Sequence, residues 1–473
     1  MSRFVGRNRE LGSLERELER VRSVPAGDAP GRAILMRGRR RVGKSRLIEQ
    51  FCANAGVPYV FFTASQQGGG ELGMFADEVA QSNLPGRDLL ADAHPQNWDS
   101  ALRLLATAVD ETSTTVVVVD EFPYLVADDP TLEATFQKQW DRLLSKKPIL
   151  LVLVGSDLAM MESLNTHGRA FFQRGTEMVV PPLSPTETAD IVGVPDAADA
   201  FDAFLITGGF PLVCDEWPTG EPMWDYLQEA LAEPTSALIV SAERALAAEF
   251  PDQAQARAVL TQIGSGEMTF SGIARAAGGL AGASASRALD TLTAKRVVAR
   301  EVPLSTKASK EARYRVTDPY LRFWLTFIGP HLAEIERGRS DRVLGRIRRD
   351  WTTWRGRAIE PVVREALIRL SPIAGLPAAE AVGGYWTRTN VPEIDLVGAD
   401  CGPIAKSISY AGTIKWLDSQ LLEQGDISQL AADILTVPGA DTSTPLIAVS
   451  KSGTTATGVV ATLGPEDLLL AWQ

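Results

Sequence analysis

Residues 38–45 read Gly-Arg-Arg-Arg-Val-Gly-Lys-Ser, a G-x-x-x-x-G-K-[ST] spacing. Such a loop works only between a buried strand and a helix. Its glycines turn consecutive backbone N–H groups inward around a phosphate, and the helix presents the positive end of its dipole. The flanks meet that demand: Ala33-Ile34-Leu35-Met36 is an apolar run of strand length, and 46–52 has helical character. Gly38, Arg39, Arg40, Arg41, Val42, Gly43, Lys44, Ser45 and Arg46 are therefore the expected phosphate-binding residues. Lys44 would reach the β- and γ-oxygens and Ser45 would ligate Mg²⁺. The three loop arginines are not explained by the motif; added phosphate attraction, contact with a neighbour or DNA, and simple solvation all stay open.

A second motif follows at Thr115-Val116-Val117-Val118-Val119-Asp120-Glu121. Unbroken β-branched residues read as a strand buried on both faces, as in a parallel sheet covered by helices. Its carboxylates fall at the C-terminal end, where open α/β sheets bind ligands. Asp120 is the expected metal-shell residue, and Glu121 the group that orients or deprotonates water. The plainer alternative is a core strand ending in surface acids. A third apolar strand, 149–154, ends in Gly155-Ser156-Asp157. Ser156 is a candidate γ-phosphate sensor, with a simple turn as the alternative.

Composition narrows the class. At 473 residues the chain exceeds one core and should form several domains. Its apolar runs are strand-sized, so no membrane span is expected, and the N-terminus has no signal-peptide apolar stretch. Cys52, Cys214 and Cys401 match no disulfide or zinc spacing, and only three histidines are present. A cytoplasmic location is expected. The net charge of −12 argues against a protein that coats nucleic acid. Yet 252–322 holds 11 Lys and Arg against 6 Asp and Glu, and 334–369 holds 10 against 6. That basic middle suits an anionic partner such as duplex DNA, or consists of solvated helical arginines.

Alternating strands and helices over 1–185 predict a parallel, doubly wound sheet. A short strand is expected at 58–62, then a loop with Gly68-Gly69-Gly70, helix over 71–110 and helix over 130–145. Ser184 is an expected N-cap. Residues 186–250 read as a helical lid broken at Gly208-Gly209-Phe210-Pro211. Helices near 255–263, 271–277 and 284–295, then a hairpin whose tip carries Lys307 and Lys310, give a winged-helix layout over 251–330. An arginine-rich helical linker, 331–355, leads to a mixed α/β domain, 356–473, with helices at 358–370 and 418–435. In the third helix Ser284, Ser286, Arg287, Asp290 and Lys295 would be exposed, a thin set for base readout. Lys307, Lys310 and Arg313 fit phosphate contact better.

Together these pieces resemble the archaeal-type ATPases of the STAND class, a branch related to AAA+ proteins. Phe4-Val5-Gly6-Arg7 resembles the family's opening motif, and Asp120-Glu121-Phe122-Pro123-Tyr124-Leu125 its extended Walker B signature. Gly155-Ser156, Gly168-Arg169, Gly208-Gly209-Phe210-Pro211 and 318–324 resemble further family segments. The resemblance implies ATP as nucleotide, Phe4 and Arg7 near the adenine and Pro211 in the lid. It also implies Arg169 as a sensor or trans-acting arginine, with Arg174 its rival. The last domain resembles the family's appended restriction-endonuclease-like core of the PD-(D/E)xK type. Glu360 matches its helix acid, Asp395 its strand aspartate and Lys415 its lysine, with Glu393 nearby, but Thr413 stands where the second acid belongs. A neutral hydroxyl is a poor ligand for a hard cation, so cleavage is in doubt. A Glu393–Lys415 ion pair is the structural alternative. Three functions follow: an ATP-driven switch acting with DNA or a protein partner, an ATP-gated nuclease, or a scaffold that holds ATP without turnover.

Overall fold

The computed structural model describes residues 4–24, 28–65, 70–91, 93–169, 171–250, 253–266, 268–371 and 375–473. Of the residues read above, 1–3, Gly68, Gly69 and Asp252 lie outside these. The chain divides into two compact units, Met1–Pro182 and Leu183–Gln473. Among the described residues no helix is long and apolar enough to cross a membrane.

The first unit is built on five parallel strands: β1 (Arg32–Arg37), β2 (Tyr59–Thr63), β3 (Thr115–Asp120), β4 (Ile149–Gly155) and β5 (Gly175–Val179). Their order is β2-β3-β4-β1-β5. Every residue of β3 and β4 is buried, as a strand covered on both faces requires. The order inserts β4 between the phosphate-loop strand and the acid-bearing strand, so the tip of β4 lies between those two motifs. Strand β5 is not expected from the sequence. Its Gly-Thr-Glu-Met-Val is largely exposed and offers no apolar run; pairing along β1 puts it in the sheet. The expected helix over 71–110 is three helices, Glu71–Gln81, Asp88–Ala91 and Trp98–Ala108. Phe62, Phe75, Trp98, Phe122 and Phe136 pack as one chain of aromatic contacts beneath the sheet's carboxyl edge.

The second unit opens at Ser184, which accepts from Glu187 N while Glu187 returns the bond, a capping box at helix Pro185–Val192. Helices continue to Ala237–Glu249. Three more, Ala254–Gly264, Phe270–Ala276 and Gly282–Ala294, precede the antiparallel pair β6 (Val298–Glu301) and β7 (Arg313–Val316).

The expected boundary at 355/356 falls inside a single helix, Ser340–Leu370. The expected helix over 358–370 is part of it, and the helix also runs through Gly356, where the last domain is expected to begin. Pro361 has no N–H for the carbonyl of Arg357, and Arg322 Nη1 donates to that carbonyl instead (3.1 Å). The final sheet is mixed, in the order β12-β11-β10-β9-β8. Its strands are β8 (Ala381–Trp386), β9 (Glu393–Ala399), β10 (Ile408–Lys415), β11 (Leu446–Ser450) and β12 (Ala461–Leu463). The expected helix 418–435 begins only at Gln424.

Candidate functional site

The phosphate loop leaves β1 and enters helix Lys44–Ala55 through two left-handed residues, Arg41 (φ 67°) and Gly43 (φ 87°). Gly38 admits no side chain, since a Cβ there would lie 2.5 Å from Val180 O. Lys44 is buried, and its Nζ donates to Gly38 O (2.9 Å) and Arg39 O (3.1 Å), curling the loop around the ammonium. Burial pulls the Lys44 ammonium below its ordinary value; Glu121 and Asp120 oppose that shift and Arg40 adds to it. Arg7 lies outside the motif but holds it. It is buried with φ 63°, and donates Nη2 to Val42 O and Nη1 to Pro181 O, both at 2.7 Å. The structure therefore makes Arg7 a brace of the phosphate loop. Phe4 is half-buried ahead of helix Asn8–Ser23.

The strand tips bring the remaining groups together. Ser45 Oγ donates to Asp120 Oδ2 at 2.6 Å, and Asp120 Oδ1 accepts from Glu121 N at 2.9 Å. Glu121 sits at φ 53°, ψ 38°, an unfavourable conformation for a residue with a side chain, and turns the chain from β3 into helix Phe122–Asp128. Ser156, at the tip of β4, donates to Glu121 Oε2 at 3.0 Å and fixes that carboxylate. Ser45 and Asp120 fit a magnesium ion, being touching oxygen donors. Among the described residues no group of three or more His, Cys, Asp or Glu side chains could hold a metal. Phosphate oxygens and water would complete the shell, as is usual for that ion.

Arg169 is not brought to this loop: it forms a fork with Glu133, Nε to Oε1 at 2.9 Å and Nη2 to Oε2 at 2.6 Å. Arg174 does the same with Asp141. Both arginines are thus paired with carboxylates of helix Leu132–Arg142. Pro211 belongs to the second unit, in the first turn of helix Pro211–Glu216. The turn before it packs on the 318–324 segment, where a Cβ on Gly208 would lie 2.8 Å from Tyr320 N.

In the C-terminal sheet Asp395 and Thr413 meet. Asp395 Oδ2 accepts from Thr413 Oγ1 (3.0 Å) and Ile414 N (2.8 Å). Glu360 lies beside them, but Arg364, one helical turn on, joins the group. Its Nη2 donates to Glu360 Oε2 (3.1 Å) and its Nε to Asp395 O (3.0 Å). Burial pushes the Glu360 carboxyl up to about 7, opposed by the Arg364 guanidinium and reinforced by the Asp395 carboxylate. Burial also raises Asp395. Lys415 is drawn away, with Nζ 2.8 Å from Asp426 Oδ2, and Glu393 binds Arg313. The expected Glu393–Lys415 pair is therefore absent; each residue has another partner. A guanidinium bonded to Glu360, and a neutral hydroxyl where a second carboxylate is needed beside Asp395, do not fit a divalent-metal site. The i, i+4 spacing of Glu360 and Arg364 signals this pair in the sequence.

The expected phosphate-contacting set is also reduced. Arg313 is held by Glu393 and Asn390 and lies over Trp386, its guanidinium 4.4 Å from the ring centre. Lys295 donates to Glu249 O and lies over Phe250. Lys307, Lys310 and Arg287 are exposed. In the arginine-rich stretch Arg339, Arg346, Arg349 and Arg355 pair with carboxylates, and Arg348 lies over Trp224.

Comparison with known proteins places these features in context. Residues 324–427 match DUF234, described as archaeal and bacterial proteins of unknown function. The uncharacterized protein MJECL04 of Methanocaldococcus jannaschii is 23% identical over 435 residues, covering 91% of each chain. Among solved structures, the Walker-type ATPase PABY2304 of Pyrococcus abyssi is 18% identical with a TM-score of 0.46, covering 68% of this chain and 96% of that one. The Aeropyrum pernix ORC2 protein in its ADPNP–ADP complexes is 16% identical with a TM-score of 0.44, covering 73% and 96%. Both structural likenesses are distant.

Proposed function

We propose that the chain binds and hydrolyses ATP with Mg²⁺, and that it is a switch of the STAND-class, AAA+-related kind. The observation that carries this reading is the continuous contact from Ser45 through Asp120 and Glu121 to Ser156 around the buried Lys44. These are the groups that phosphoryl transfer to water needs, on the elements that position them. Lys44 supplies positive charge to the β- and γ-phosphates. Ser45 and Asp120 would hold Mg²⁺, which neutralises charge on the phosphate oxygens when bound. Glu121, its rotamer fixed by Ser156, orients the attacking water and accepts its proton. Asp120 and Glu121 together speak against a scaffold that only stores ATP. The C-terminal domain is proposed as a non-cleaving partner-binding module, because Arg364, Thr413 and Lys415 depart from what metal-dependent hydrolysis requires. A duplex-DNA partner would meet Lys307, Lys310 and Arg287; a protein partner is the competing proposal.

The test is ATP turnover by the purified protein with Mg²⁺, with and without duplex DNA, against Lys44→Ala. Turnover lost in the variant is expected. Stimulation by DNA that falls with rising salt would make nucleic acid the partner. Turnover indifferent to Lys44→Ala would sink the ATPase reading.

A further inference from the structure

The arginine triplet inside the phosphate loop is not absorbed by the mechanism above. Arg40 reaches a side chain outside the loop. Its Nη2 donates to the hydroxyl of Tyr124, and its guanidinium carbon lies 5.9 Å from the centre of that ring. Tyr124 stands three residues after Glu121, in the first turn of the helix that Glu121 opens, with its backbone N–H bonded to Glu121 O at 2.9 Å. Arg40 is also close enough to Lys44 to lower the ammonium's proton affinity. The guanidinium is thus placed between the phosphate-loop lysine and the helix that begins at the water-orienting carboxylate. On the ATP-binding reading, that is the side of the loop on which a terminal phosphate would meet its nucleophile.

A guanidinium has five N–H donors in a fixed fork. Tyr124 engages one nitrogen, leaving Nη1 and Nε to turn toward an anion. A phenol is a neutral acceptor, whereas a phosphate carries the opposite charge and can take two nitrogens of the fork at once. We infer that Arg40 is a γ-phosphate ligand supplied in cis, and that Tyr124 is the residue that positions it. The inference rests on the ATP-binding reading and extends it. It assigns the transition-state arginine to the loop itself, where Arg169, forked on Glu133, is not brought. Stabilising charge on the transferred phosphoryl group would then need no neighbouring subunit.

The experiment compares affinities for AMP-PNP and ADP by equilibrium binding of the full chain with Mg²⁺. It uses wild type, Arg40→Met, Arg40→Lys, Tyr124→Phe, the Arg40→Met/Tyr124→Phe double variant and Lys44→Ala, with kcat and KM measured in parallel. Arg40→Met is expected to weaken AMP-PNP about tenfold or more, the scale of one charged hydrogen bond, while ADP changes less than about twofold. Arg40→Lys keeps the charge but not the fork, and should recover only part of the loss. Tyr124→Phe should lower kcat severalfold at nearly unchanged KM, and should add nothing in the Arg40→Met background. An AMP-PNP to ADP ratio unmoved by Arg40→Met, or a Tyr124→Phe effect that persists without Arg40, would overturn the inference while Lys44-dependent binding kept the ATP reading intact. Binding indifferent to Lys44→Ala would overturn both.

Discussion

At the scale of single residues, two carboxyl groups show how surroundings decide role. Glu121 is held at a left-handed backbone position and bonded by Ser156, a strained arrangement that a helix start alone does not need. Its replacement by Gln keeps shape and the Ser156 contact but removes the proton acceptor. Steady-state assays should show Glu121→Gln losing at least about a hundredfold in turnover while ATP binding stays within a few-fold. Ser156→Ala, which frees the rotamer only, should lose about tenfold in kcat with KM little changed. Equal losses in KM would instead mark Ser156 as a plain binding group.

Glu360 is the second case. Its folded value of about 7 lies above the ordinary 4.5 because burial disfavours the charge. Between those values the folded protein holds a proton that the unfolded chain releases. Its stabilising contribution is therefore fully present below about pH 4.5 and is lost as pH rises through about 7. Glu360→Gln should leave stability near wild type at pH 5. At pH 8 it should exceed wild type by up to about 3 kcal/mol, a thermal midpoint higher by roughly 5 °C. A variant less stable than wild type at pH 8 would mean that the Arg364–Glu360 ion pair outweighs burial.

At the scale of elements, the phosphate loop depends on a residue far from it in sequence. Arg7 ties Val42 to Pro181, so one guanidinium couples the loop to the segment after β5. Arg7→Met leaves two carbonyls without donors and should destabilise the first unit by about 2–3 kcal/mol. It should also raise the KM for ATP several-fold; Arg7→Lys should not rescue, because Arg7 reaches Pro181 and Val42 with two separate nitrogens of a planar fork and lysine has one. Unchanged KM with lowered stability would confine Arg7 to packing. The resemblance implies only an adenine neighbour at Arg7, since folding alone brings Pro181 to residue 7.

The same distinction separates what was readable from what was not. Strands β1, β3 and β4 are continuous apolar runs, and motif spacing alone places Lys44 and Ser45 at a helix start and Asp120, Glu121 and Ser156 at or just past strand tips. Local capping chemistry equally places Ser184. Strand β5 escapes because its membership depends on a neighbour's edge, and helix Ser340–Leu370 is legible only as two pieces, because a glycine at 356 gives no sign that they are continuous. Tyr124 beside Arg40 and Asp426 beside Lys415 are meetings of residues that no sequence period predicts.

At the scale of the whole molecule, the second unit behaves as one body where the sequence suggests a chain of separate modules. The loop between β6 and β7 is sewn to the C-terminal sheet: Leu304 N donates to Gly384 O, Ala405 N to Ser305 O and Thr306 N to Pro438 O, all within 3.0 Å. Deeper in, Arg355 has a side chain only 2% exposed and joins two other segments. Its Nη1 binds Asp202 on helix Ala197–Thr207 and its Nη2 binds Asp418 beyond β10, at 2.8 and 2.9 Å. Lys451, just past β11, reaches both carboxylates.

A motion of helix Ala197–Thr207 must carry the mixed sheet with it or break this network. Burying such charges gains little net stability, but removing one partner strands the other. Arg355→Met should therefore cost about 3–5 kcal/mol in urea unfolding followed by tryptophan emission. Eight of the ten tryptophans lie in this unit, so that signal reports mainly on it. Adding Asp202→Leu to Arg355→Met removes the stranded carboxylate and should restore most of the loss. If the double variant is no more stable than Arg355→Met, Asp202 is not the group that the arginine neutralises, and the coupling of that helix to the sheet rests on apolar packing such as Phe201 against Trp416.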